Sequence, residues 1–122
     1  MADGVIYLAS PYSHPSRSMR SYRFLQACRA AARLMRKGHV VFSPIAHSHP
    51  VARYGGLDEM DGALWQQQDA PMLALAHEVW VLMIEGWRES RGIQAEIAWA
   101  VEHGRAVRYL NEDADEPIEV AA

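Results

Sequence analysis

Four short apolar runs, separated by stretches of quite different character, constrain this chain more than any other feature. They are VIYLA (5–9), VVFS (40–43), VWVLMI (79–84) and AVRYL (106–110). None shows the strict apolar–polar alternation of a strand with one wet face. Runs of this kind suit strands covered on both sides, and so a parallel sheet between helical layers. The intervening segments supply the helices. From Met19 to Lys37 the apolar residues Phe24, Ala27/Cys28, Ala31 and Leu34/Met35 recur at spacings of three and four, which marks one helix face. Ser16 or Ser18 is placed to cap its start, Arg36 and Lys37 suit its C-terminus, and Gly38 suits the residue beyond. A second helical pattern runs from Trp65 to Ala76, with Pro71 implying a start near Asp69 or a kink. A third runs from Arg91 to about His103, behind a turn carrying Gly86, capped by Ser90 and with Ile93, Ile97 and Ala100/Val101 inward. Residues 44–64 have no regular pattern and are expected to form a long loop, of the sort usually functional or mobile. The order is β-α-β-loop-α-β-α-β. It predicts a small doubly wound, flavodoxin/Rossmann-like α/β domain with a parallel sheet of four or five strands and helices on both faces.

At 122 residues there is room for one core. The domain is expected to span 1–112, with 113–122 a loose acidic tail except around Ile118–Val120. With 50% hydrophobic and 22% charged residues, the composition is that of a soluble globular domain. A formal charge of -3 argues against a non-specific nucleic-acid binder. Cys28 is alone and has no partner for a disulfide or a CxxC motif. No basic leader or membrane-length apolar run occurs, so a cytoplasmic protein is expected, with neither membrane nor nucleic acid as partner.

In an open parallel sheet, ligands bind beyond the carboxyl ends of the strands, where the chain order reverses. That rule selects Ser10, Pro11, Tyr12, Ser13 and His14 after the first strand, and Pro44 to His49 after the second. After the third it selects Glu85 to Gly92. The richest stretch is GWRESRGIQAEIAWA (86–100). Ser90 stands at a helix start, where free backbone N–H groups and the dipole favour an anion. Gly92 leaves side-chain space in the first turn, and Glu96, four residues on, shares its face. Helical side chains lean toward the N-terminus, so the Glu96 carboxylate is expected to reach back over Gly92. A ligand lying across Gly92 would then meet the helix end and the carboxylate together. The bland alternative is a solvated glutamate.

The segments IYLASPY (6–12), FSP (42–44), Asp69, SRGIQAEIAWA (90–100) and GRAV (104–107) resemble the nucleoside 2-deoxyribosyltransferase superfamily, over residues 5–110. The resemblance implies cleavage or transfer at the N-glycosidic bond of a nucleoside or nucleotide. By it, Glu96 attacks the anomeric carbon, Asp69 orients the sugar or protonates the leaving base, and Tyr7 hydrogen-bonds near the nucleophile. Three departures bear on the substrate. Ser90 stands where transferases carry Asp, which resembles the nucleoside 5′-monophosphate hydrolase branch and favours a phosphorylated substrate. His77 replaces an aspartate. No serine follows Ser90, so the partner-subunit serine of some relatives has no counterpart, and Arg17, Arg88 or Arg91 is left to complete a phosphate site. The resemblance also implies a homo-oligomer, dimer or tetramer.

Other constellations are weaker. His47 and His49, with His14, Asp58 and Asp61, admit a metal site, pocket hydrogen bonds or a merely polar loop. No metal is expected. Trp87 beside Gly86 offers a face on which a base could stack, whereas Trp65, Trp80 and Trp99 are expected in the core or an interface. The arginines of the first helix read as a solvated face. No GxGxxG or P-loop pattern occurs, and no cofactor is expected. The rival functions are a non-catalytic nucleotide-binding module on the same fold and a His-dependent metal hydrolase.

Overall fold

The computed structural model describes residues 4–118. The chain runs β1(Val5–Ala9), α1(Arg17–Arg36), β2(Val40–Phe42), α2(Pro44–Gly55), α3(Gly62–Ala74), β3(Ala76–Leu82), α4(Arg91–Glu102), β4(Ala106–Leu110). The four strands form one all-parallel sheet in the order β2-β1-β3-β4. Tyr7 lies opposite Phe42 and Val79, and Val79 opposite Val107. The crossover from β1 to β2 and that from β3 to β4 run in opposite directions, which creates a switch point between β1 and β3.

Successive side chains of a strand point to opposite faces, and each face has its own core. Ile6, Leu8, Trp80, Leu82 and Leu110 pack under Ala30, Ala31 and Leu34 of α1. Tyr7, Ala9, Val79 and Val81 pack under Leu73 of α3 and Ile93 and Ala100 of α4. This double burial is why the apolar runs do not alternate. The α/β class, the parallel sheet and the helices on both faces agree with the sequence reading, and the strand number is four.

The main correction concerns residues 44–64, which are not one loop. Ser43 is a cap and not the end of β2: its Oγ accepts from the Ala46 N–H at 3.1 Å, and Pro44 stands at the first helical position, where a missing N–H costs nothing. Pro50 is tolerated inside α2 because Ser48, His49 and Ala52 bury one face. Gly56, in the left-handed conformation at φ 75°, ends the helix. Asp61 caps α3, accepting from Leu64, so that helix starts seven residues before Asp69, with Pro71 inside. β3 begins at Ala76, three residues before the expected start, and ends two residues early at Leu82. The segment after β4 is tied down. Arg33 donates to the carbonyls of Glu112 and Ala114, and Ile118 bridges back to Tyr109. Residues 119 and 120, within the Ile118–Val120 region, lie outside the described residues. Among the described residues no helix is long and apolar enough to cross a membrane.

Candidate functional site

A cleft of about 1070 Å³ opens at the carboxyl ends of β1 and β3, at the switch point. Each wall follows from a local feature. β1 carries Tyr7 inside the sheet and delivers Ser10, Tyr12 and Ser13 to the rim. α3 brings Trp65 and Asp69, four residues and about one turn apart. α4 brings Ser90, Arg91, Gly92 and Glu96, with Trp99 one turn further. Ser90 Oγ accepts from the Ile93 N–H at 3.2 Å and so fixes the helix start. A Cβ on Gly92 would meet only Ser90 Oγ, at 3.8 Å, so this stretch of the helix is bare toward the cleft.

Glu96 faces into the cleft and not outward to solvent. Burial lifts its carboxyl to about 8, against an opposing pull from the Tyr7 hydroxyl and with a further push from the Asp69 charge. Asp69 is itself lifted to about 6 by burial, with the nearby His47 pulling it down slightly. Tyr7 is 1% exposed, and its Oη has no well-aligned hydrogen bond among the described residues. Burial first, then the Glu96 carboxyl, push the phenol upward, so it stays protonated. The cleft thus holds two carboxyls from different helices that repel one another, with a neutral phenol beside one of them.

A second cluster sits on the rim. Glu59 Oε1 and Oε2 accept from Arg20 Nε at 3.0 Å and Arg53 Nε at 2.9 Å, with Arg53 Nη2 at 3.1 Å. Burial works to raise Glu59, but these guanidiniums and the Tyr12 hydroxyl outweigh it and hold the carboxyl at about 2. Tyr12 Oη lies 2.6 Å from His49 Nδ1, and the His49 ring stacks on Phe24 at 4.3 Å.

Of the residues selected from sequence, Tyr7, Ser10, Tyr12, Ser13, Asp69 and Gly86 line the cleft, as do Ser90, Arg91, Gly92 and Glu96. The others stand elsewhere. Pro11 is fully buried behind the rim. His14 Nδ1 is used by the Ser16 N–H at 2.9 Å. His49 is buried and committed to Tyr12, while His47 is exposed on α2. Trp87 packs on Tyr109, with the Arg88 guanidinium over its ring, so this pair faces β4 and not a ligand. Arg17 is exposed at the start of α1. Among the described residues no three His, Cys, Asp or Glu side chains come together as a metal-binding group. Trp65 and Trp99, assigned to core or interface, line the cleft instead. Arg23, read as part of a solvated face, is buried there with 8% exposure. Its position one turn before the apolar Ala27 was the available signal.

The molecule is an α/β domain with an open parallel sheet and a cleft at its switch point, into which two helices bring a carboxyl each. The chain belongs to the family described as "Domain of unknown function (DUF1937)", which matches residues 4–112. Its fold is similar to that of a 2-deoxyribosyltransferase from the psychrotolerant bacterium Bacillus psychrosaccharolyticus, with TM-score 0.61 and 21% identity, over 94% of this chain and 77% of that one. No curated protein matches.

Proposed function

We propose that this protein breaks the N-glycosidic bond of a nucleoside or nucleoside 5′-monophosphate, by hydrolysis or by 2-deoxyribosyl transfer. The observation that carries the reading is that Glu96 and Asp69, from separate helices, meet in one cleft beside Tyr7. A single shared proton suits the reaction. The Glu96 carboxylate attacks the anomeric carbon as the bond to the base nitrogen breaks, and the base leaves with the electron pair. The reacting form is the microstate of the pair that has the shared proton on Asp69 and leaves Glu96, the more basic of the two, ionised; Asp69 then gives that proton to the departing nitrogen. Water, or the nitrogen of a second base, then attacks the same carbon and releases Glu96, and its proton returns to the carboxyl pair. Tyr7 donates toward the Glu96 carboxyl and holds it in place. Trp65 and Trp99, on the same cleft, offer aromatic faces to the base.

The test incubates purified protein with a panel of ribo- and deoxynucleosides and their 5′-monophosphates and follows free base by chromatography. Release by the wild-type chain is expected, with a loss of at least about a hundredfold in Glu96→Gln. A Glu96→Gln variant as active as wild type removes Glu96 from the role. Ligand-induced thermal stabilisation without release from any substrate points instead to the non-catalytic binding module.

A further inference from the structure

We propose that Glu59 is a positioning residue for the cleft and acts through Tyr12, by a directed series of hydrogen bonds in which His49 Nδ1–H donates to Tyr12 Oη and the Tyr12 hydroxyl donates to the Glu59 carboxylate. The kinetic consequence rests on the preceding reading of the reaction, but the hydrogen-bond series does not.

The direction follows from counting protons. Tyr12 Oη lies 2.6 Å from His49 Nδ1 and also meets the Glu59 carboxylate. Burial first, then Glu59, push the phenol upward, so it keeps its proton and has only that one for its two neighbours. Glu59 is ionised at neutral pH, since burial works to raise its carboxyl but the Arg53 and Arg20 guanidiniums outweigh it and hold it at about 2. A carboxylate can only accept, and a hydrogen bond to a charged acceptor is about twice as strong as one between neutral groups. The Tyr12 proton therefore goes to Glu59, and the contact with His49 takes its proton from the ring. Burial, followed by the Arg53 charge, pushes His49 below its usual range, with Glu59 pulling the other way. The imidazole is then neutral at pH 7 and carries its one proton on Nδ1. The ring is held for this role, being 4% exposed and stacked on Phe24 at 4.3 Å.

Glu59 reaches the cleft by two further routes. Arg20 Nε donates to Glu59 Oε1 at 3.0 Å, and Arg20 Nη1 donates to the His14 carbonyl at 2.6 Å and the Pro15 carbonyl at 3.2 Å, which pins the loop that carries Tyr12. Beside Glu59 in the chain, the Asp58 carbonyl accepts from Trp65 Nε1 at 3.0 Å. Tyr12 and Trp65 both line the cleft, so two aromatic walls depend on one short segment that the Glu59 carboxylate ties to α1 and α2. The carboxylate is occupied by Arg20, Arg53 and Tyr12, and it acts through these neighbours. With the chemistry at Glu96 and Asp69, loss of Glu59 loosens walls that hold substrate and transition state alike, and such a loss raises KM more than it lowers kcat.

Nitrogen NMR on isotope-labelled protein reads the His49 tautomer and needs no substrate. At pH 7 the wild-type ring is expected to be neutral, with Nδ1 protonated and Nε2 bare. In Glu59→Gln the charge that draws the Tyr12 proton is gone, so the hydroxyl turns to His49 Nδ1 and the ring proton is expected on Nε2. An ion pair that merely braces the helices would leave the tautomer unchanged. If Glu59→Gln does not fold by near-ultraviolet circular dichroism, Tyr12→Phe decides, because Nδ1–H then has no acceptor and the proton is again expected on Nε2. A wild-type ring protonated on Nε2, or Nδ1–H persisting in the folded variant, overturns the proposal. With a substrate that the wild-type chain cleaves, Glu59→Gln is expected to raise KM about tenfold and to keep kcat within about twofold. A fall in kcat at unchanged KM also overturns the positioning role. If the wild-type chain cleaves none of the panel, the glycosidic reading fails, and the His49 tautomer alone upholds or overturns this proposal.

Discussion

Glu96 is a carboxyl held where a carboxylate is uncomfortable, and this has consequences that can be measured. Burial lifts Glu96 to about 8 and Asp69 to about 6, and the two repel, so the pair holds one proton between these values. Below about 6 both are protonated and no nucleophile exists; above about 8 both are ionised and no acid remains. A bell-shaped profile of kcat/KM against pH, highest near 7, is the expected outcome of rate measurements with either class of substrate. Asp69→Asn should abolish the bell shape. Stability should run in the opposite sense to activity on the acid side of that profile. A folded pKa above the unfolded one means that the native state binds the proton more tightly, so stability is lost as pH rises from about 4.5 to about 8. Glu96→Gln removes that loss. It should be more stable than wild type by about 1–2 kcal/mol at pH 8, after discounting for the open cleft, and no more stable at pH 4. Urea midpoints at the two pH values check this. Glu96 was legible from its spacing to Gly92 on one helix, whereas Tyr7 and Asp69 were singled out only through the family resemblance; the three line one cleft. Arg23 was not legible, because a helical arginine is ordinarily solvated and its burial depends on two loops far away in sequence. Trp87 misled for a related reason. It stands beside Gly86 in the sequence, but the turn directs its ring to Tyr109.

Among the elements, α2 shows how helix chemistry can hide in loop-like composition. His47, His49, Pro50 and Gly55 argue locally for a turn. The helix forms because Ser43 caps it, Pro44 stands where proline is harmless, and its buried face meets α1 through the His49–Phe24 stack. The start of α3 behind its cap Asp61 was missed for the same reason, its first turn offering only Gly62 and Ala63 before Leu64. α1 and α2 are also tied by charge, since Glu59 joins Arg20 of α1 to Arg53 of α2. Because the Glu59 carboxyl is held at about 2, it contributes stability above about 4.5 that is lost as pH falls through 2. Glu59→Gln should cost about 2 kcal/mol at pH 7 and much less at pH 2, read from denaturant midpoints at both. It should also weaken ligand affinity, because Glu59 and Tyr12 form part of the cleft wall. α4 depends on its cap. Ser90→Ala removes the acceptor for Ile93 N–H and should lower stability by about 1 kcal/mol by the same measurement.

At the scale of the molecule, the doubly wound topology was readable from the order and character of the apolar runs, because crossover handedness leaves few arrangements. The cleft at the switch point follows from that topology. Its size and its indole walls do not, because they depend on how α3 lies against α4. Val51, Tyr54 and Leu57 are exposed along α2 and the turn after it, with Tyr54 89% accessible. These side chains support the reading of a homo-oligomer whose second copy covers that side. Light scattering should give at least a dimer for wild type and a smaller mass for Tyr54→Asp. The most direct measurement is a crystal structure of Glu96→Gln soaked with a deoxynucleoside 5′-monophosphate. The account predicts the anomeric carbon within about 3.5 Å of the residue-96 side-chain oxygen, with the base toward Trp65 and Trp99. A sugar bound at the far end of the cleft, its anomeric carbon remote from residue 96, would contradict it.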